Sequence, residues 1–161
     1  MRGYMLAGVL LLSPAQALGQ EPGESFQYKA SAYGKVSAGA CQHGHAFMNG
    51  GGGFEGFVWK GLSAGASFAA TRFVDRAENW GMATADVGWH FVNRRRFVPW
   101  DPFVTAGVLG YSYWQNGSAA GSVGGGVNYW LTRHIALRFE GRSYGMHGEL
   151  ITVFQVGAAF R

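Results

Sequence analysis

Reactive side chains gather at a few places in this chain of 161 residues. Residues 41–45 read CQHGH, and an extended backbone there turns Cys41, His43 and His45 to one side. A thiolate and two imidazoles are suitable donors for a transition metal. One short segment without a second shell to orient its ligands is a weak site, so the expectation is an exposed polar loop and no metal. Ser143, His147 and Glu149 include the residue types of a hydrolase. A nucleophile needs a base within hydrogen-bond reach and a third group that orients the base. These three fall in or beside one predicted loop, where no repeated geometry holds them, so they read as loop residues. Arg94, Arg95 and Arg96 form the one basic run, followed by Trp100. No nucleic-acid-binding pattern surrounds them; at a membrane boundary the arginines would meet anionic headgroups while Trp100 anchors nearby. The glycines at 50–53 lack the lysine and the strand–loop–helix context of a phosphate loop. No cofactor is expected.

A second set of charges is dispersed and regular. Glu55, Asp86, Arg138, Glu140 and Arg142 each lie near the middle of a segment in which apolar and small polar residues alternate. Residues 135–145 put Ile135, Leu137 and Phe139 on one face and Arg138, Glu140 and Arg142 on the other. Residues 80–91 set Gly81, Ala83, Ala85, Val87, Trp89 and Phe91 against Thr84, Asp86 and His90. A period of two is the signature of a strand with unlike faces. Residues 62–71, 123–130 and 152–160 alternate in the same way. Adding 50–58, 103–115 (apolar at both parities) and a first strand near 28–40 gives eight strands.

Composition agrees with this reading. Charged residues are only 14% of the chain, below the roughly 25% of ordinary soluble domains, which argues against disorder and against a helical bundle. One cysteine excludes an internal disulfide framework. Twenty-seven glycines without a collagen period point to strands and tight turns. Residues 1–19 predict a signal peptide, with Arg2 in a basic n-region, an apolar stretch over 5–12 and small residues over 15–19. That stretch is far shorter than the roughly 20 residues of a spanning helix. Cleavage after Gly19 would leave a mature barrel domain, 20–161, with 12 Lys and Arg against 9 Asp and Glu.

Eight consecutive antiparallel strands with short links predict an all-β, up-and-down barrel. Alternation alone does not say which face is inside. A soluble ligand-carrying barrel turns its apolar parity inward, and a transmembrane barrel turns it outward. The polar parity here is mostly Gly, Ser, Ala and Thr, which suits a crowded interior better than a solvent face. Trp89, Phe91, Tyr129 and Phe160 fall at strand ends on one rim, as an interfacial aromatic girdle does. Ten residues at about 3.3 Å each, tilted near 40°, rise about 25 Å, the height of the apolar band. The expected interior then holds Glu55, Asp86, Arg138, Glu140 and Arg142 as a paired network that plugs the lumen.

The chain from residue 26 to 161 resembles the small outer-membrane β-barrel family of diderm bacteria, the OmpA/OmpX-like eight-stranded group. The likeness is carried by GGGGFEGFVWKG at 50–61, GGGVNYWL at 124–131, IALRFEGR at 135–142 and FQVGAAFR at 154–161. It implies an outer-membrane monomer in contact with lipid and lipopolysaccharide, with the barrel-insertion machinery as a partner during assembly. Such families usually end on an aromatic residue; here Arg161 follows Phe160. No peptidoglycan-binding domain follows the barrel, so a tethering role is not implied. A lipid A deacylase of similar size carries a His-x-Ser-Asn stretch, which is missing beside Ser143. The leading expectation is therefore a non-enzymatic barrel with a structural, stabilising or adhesive role. A lipid A hydrolase and a soluble periplasmic ligand carrier are the alternatives.

Overall fold

The computed structural model describes residues 30–41, 46–59, 61–74, 79–91, 98–113, 116–146 and 149–161. The predicted leader, His43, His45, Arg94–96 and His147 lie outside the described residues. The chain runs through β1 (Ala30–Cys41), β2 (Ala46–Trp59), β3 (Leu62–Phe73), β4 (Asn79–His90), β5 (Trp100–Tyr113), β6 (Asn116–Trp130), β7 (Ile135–Met146) and β8 (Glu149–Phe160). Each strand pairs antiparallel with the next, and β1 pairs with β8 to close a barrel. We call the end that holds the start of β1 and the end of β8 the near end, and the opposite one the far end.

The eight strands appear in the predicted places, and all but β1 and β4 are longer than expected. Residues 116–119, which lie between the strands expected at 103–115 and 123–130, are strand: Asn116 pairs with Tyr113 and Gly117 with Ser112. Likewise β2 begins at Ala46 and β8 at Glu149, ahead of the starts expected at 50 and 152. The reason is local. In Asn-Gly-Ser-Ala-Ala-Gly every side chain is small, so neither parity gives a hydrophobic signal although the backbone pairs in register. Strands of 12 residues, the shortest present, rise about 30 Å at a tilt near 40°.

The barrel is inside-out by the standard of a soluble protein. Phe54, Phe68, Val87, Val108, Val123 and Phe154 are more than half exposed on the outer face. Lys35, Glu55, Arg138, Glu140 and Arg142 are buried within. A tight hairpin at the near end joins β2 to β3, where Gly61 takes a φ of 91°, a conformation that side chains rarely adopt. The His90 amide donates to the Gly61 carbonyl at 2.8 Å, tying that hairpin to the end of β4.

Inward-facing glycines make room for the charges. Glu140 pairs across the sheet with Gly126, Arg142 with Gly124, Arg138 with Gly157, and Asp86 with both Gly65 and Gly107. A Cβ on Gly126 would overlap the Phe139 carbonyl and lie 2.8 Å from the Phe103 ring. At Gly121, on the outer face of the same strand, a Cβ meets nothing within 4 Å. Gly126→Ala is therefore expected to lower stability by roughly 1–3 kcal/mol through overpacking, while Gly121→Ala leaves it unchanged or slightly raised. Urea unfolding of the refolded protein in detergent micelles checks the pair.

Candidate functional site

The interior is stacked in layers along the barrel axis. In the middle, Glu140 on β7 is shared by the two arginines of its own strand face, each two residues away. Arg138 Nε donates to Oε2 at 3.2 Å, and Arg142 Nη2 lies 2.7 Å from Oε1. Period-two geometry puts all three side chains on one face, so β7 alone supplies an Arg–Glu–Arg ladder. The ladder then reaches across the lumen. Arg142 Nη1 contacts both oxygens of Asp86 on β4, at 3.0 and 2.9 Å, and Arg138 Nη1 contacts Glu55 on β2 at 3.3 Å. Arg138 also stacks its guanidinium over the rings of Phe103 and Tyr33, at 4.1 and 4.5 Å.

Towards the near end the network continues through residues that sequence reasoning left out. His90 Nδ1 donates to Asp101 at 2.9 Å, and its Nε2 stands 3.3 Å from Glu55 Oε2, within ion-pair distance but off the axis of a good hydrogen bond. Asn128 Nδ2 donates to the same Asp101 at 3.0 Å. Phe57 and Phe103 pack against the imidazole, with ring centroids at 4.7 and 5.2 Å. Both imidazole nitrogens therefore face carboxylates. Only the ring with an N–H at each nitrogen meets both without opposing a lone pair to a carboxylate oxygen. In that form His90 is the fourth interior cation beside Lys35, Arg138 and Arg142, matching Glu55, Asp86, Asp101 and Glu140 among the described residues.

Towards the far end the lumen is apolar. Phe47, Trp80, Met82, Leu109, Tyr111, Tyr144, Ile151 and Val153 form one buried cluster with Phe73 against it. Trp80 stacks on Phe73 at 6.1 Å and meets Tyr111 edge-on at 5.8 Å. A second, smaller cluster of Tyr33, Trp130, Ala136 and Ala159 closes the near end, with the Arg161 guanidinium 4.4 Å from the Trp130 ring. The sequence carried a trace of the far-end cap in 103–115, where both parities are apolar because one faces outward and the other faces the cap.

The other residues named from the sequence occupy the lumen, the near rim and the strand ends. Glu55, Arg138, Glu140 and Arg142 are buried in the lumen and Asp86 is partly buried there. Trp89, Phe91 and Phe160 are exposed and Tyr129 partly so, all at the near end. Two further exposed tryptophans share that rim: Trp59, and Trp100, whose ring lies 4.6 Å from Tyr129. Cys41 ends β1. The Ser143 hydroxyl pairs with the Thr152 hydroxyl at 3.1 Å across β7 and β8, and Glu149 opens β8.

No protein-family model and no curated protein sequence matches the chain. Solved structures do. The N-terminal β-barrel domain of Pseudomonas aeruginosa OprF superposes with a TM-score of 0.58 at 17% identity, covering 86% of this chain and 99% of that one. Neisserial surface protein A gives 0.59 at 11% identity, with 81% and 94% covered. A chain from the de novo design of transmembrane β-barrels gives 0.55 at 16% identity, with 83% and 97% covered. The fold is thus that of the small eight-stranded outer-membrane barrels. Identities this low carry the fold alone, and a designed chain that shares it makes plain that the shape by itself implies no activity.

Breaking the ladder tests how much of the interior rests on it. Arg138→Leu leaves Glu55 to His90 alone and Glu140 to Arg142 alone, with the charges no longer balanced in a closed lumen, and the expected loss is about 3–5 kcal/mol. The urea midpoint of the refolded protein reads it out; an unchanged midpoint would mean that the lumen charges are individually solvated.

Proposed function

We propose that this protein is a monomeric, non-enzymatic barrel of the outer membrane, exported by its N-terminal segment. Its lumen is plugged by its own side chains, and its role is surface-structural, stabilising or adhesive. The observation that carries the reading is the inverted burial pattern: a belt of exposed Phe and Val outside and paired charges inside. An exposed apolar belt of this extent is untenable in water and suits lipid. Trp59, Trp89, Phe91, Trp100, Tyr129 and Phe160 at the near end fit the headgroup level, with lipid and lipopolysaccharide as the surrounding partners.

A conducting lumen is the obvious competing reading, because polar contacts run almost the length of the interior. They pass from Asp101 through His90, Glu55, Arg138, Glu140, Arg142, Asp86, Thr84 and Ser67 to Lys35. Two guanidinium groups interrupt that series, and an arginine does not give up its proton in a protein, so the series is no proton wire. The far-end cluster blocks it again with apolar rings. Both features favour a plug.

Orientation rests on an even strand number: both ends of the barrel chain lie on the side of synthesis, so the near end faces the periplasm. Tags placed in the two-residue link between β5 and β6 should be reached by antibody on intact cells, and tags at Arg95 should not; reversed labelling refutes the orientation. Fractionation tests the compartment. The expected result is a detergent-extracted outer-membrane protein that runs faster on gels unheated than heated, and that gives no steady conductance in planar bilayers. A soluble periplasmic protein with unchanged mobility would restore the ligand-carrier reading.

A further inference from the structure

Lys35 is the interior cation that the ladder does not reach. It projects from β1 with 6% exposure, and it forms no ion pair among the described residues. Its one hydrogen bond is long, 3.4 Å to Ser67 Oγ. The neighbouring hydroxyls can be oriented in only one way. Thr84 donates to Asp86 at 2.7 Å, so its oxygen accepts from Ser67 at 2.8 Å, and Ser67 in turn accepts from Lys35. Both hydroxyl protons are thereby used, while two of the three ammonium N–H groups remain to be satisfied.

Beside Lys35 is a cavity of about 10 Å³, the scale at which one water is held. Its polar lining is Lys35, Asn49, Ser67, Thr84, Tyr144 and Gln155. The Asn49 carbonyl oxygen already accepts from Ser37. Gln155, on β8 and 4% exposed, has a buried side-chain carbonyl oxygen with no hydrogen-bond partner. One wall of the cavity thus offers a surplus donor and another a vacant acceptor. An anion would satisfy the first and oppose the second; a water satisfies both, accepting from Lys35 and donating to Gln155.

We propose that this cavity is a binding site for a single structural water that bridges Lys35 to Gln155. The water completes an internal hoop across the seam where the last strand meets the first. Gln155 on β8 is joined through it to Lys35 on β1, then to Ser67 on β3, Thr84 and Asp86 on β4, and Arg142 on β7. The site depends only on interior geometry and stands whatever surrounds the outer face.

A high-resolution crystal structure of the full barrel, refolded in sodium bromide, tests the proposal directly. The expected result is a solvent peak within hydrogen-bond distance of Lys35 Nζ and Gln155 Oε1, with no anomalous bromide signal. An empty cavity overturns the proposal, and an anomalous peak there overturns it in favour of an anion site. In solution, Gln155→Met removes the acceptor and occupies the cavity while keeping Lys35. It should speed hydrogen exchange at the amides that bond β1 to β8 beside the Ser37–Gln155 pair by up to roughly tenfold, the scale of one hydrogen bond, without changing exchange in the β4–β5 ladder. Lys35→Met should do the same where it folds. Seam protection unchanged in Gln155→Met overturns the bridging role.

Discussion

The Glu140 carboxylate, held between Arg138 and Arg142, is the contact on which the rest of the interior depends. Two guanidinium groups four residues apart on one strand face repel each other in a space little wider than their own side chains. A carboxylate between them turns that repulsion into a ladder, 3.2 Å on one side and 2.7 Å on the other. Only then are the outer edges of the two arginines free to reach Glu55 and Asp86 across the lumen. The cross-lumen pairs join β7 to β2 and β4, strands that share no backbone hydrogen bonds with it. Backbone pairing closes the barrel, and side-chain charge fills it.

Filling with charge has a steric condition, and the glycines meet it. A small barrel has no room for a large side chain at every inward position, so Lys35, Glu55, Asp86, Arg138, Glu140 and Arg142 each stand across from a glycine. This links two compositional facts that look unrelated in the sequence, the low charge content and the many glycines. Among the described residues most of the charges are internal, and the glycines opposite them provide the volume they occupy. The apolar residues that a soluble core would take up are released to the outer face and to the two end clusters.

Strand number and the inward parity of β4 and β7 were legible because large polar and large apolar residues alternate there without interruption. The charge network was legible only in its middle. Asp101 follows a proline-containing turn and lies at the second position of β5, so it reads as part of the link. Lys35 falls in the first strand, where Gly, Ala and Ser at both parities leave the period weak. His90 shares the inward parity of Asp86, yet nothing local signals that carboxylates from β2 and β5 converge on it. The far-end cap was missed for a related reason. A strand whose inner face is apolar at one end and polar at the other breaks the rule that one parity keeps one character, as Leu109 and Tyr111 do above Asp101 and Thr105 on β5.

The same packing constrains where a function can reside. Among the described residues, side-chain donors and acceptors in the ladder are committed to one another, and apolar clusters lie towards both ends. What remains accessible among the described residues is the outer belt and the near-end rim. The near-end rim carries exposed tryptophans, whose amphipathic rings favour a boundary between apolar and polar phases. The rigid, self-filled interior therefore holds the barrel's shape, and its outer belt and rims remain to set what the barrel meets.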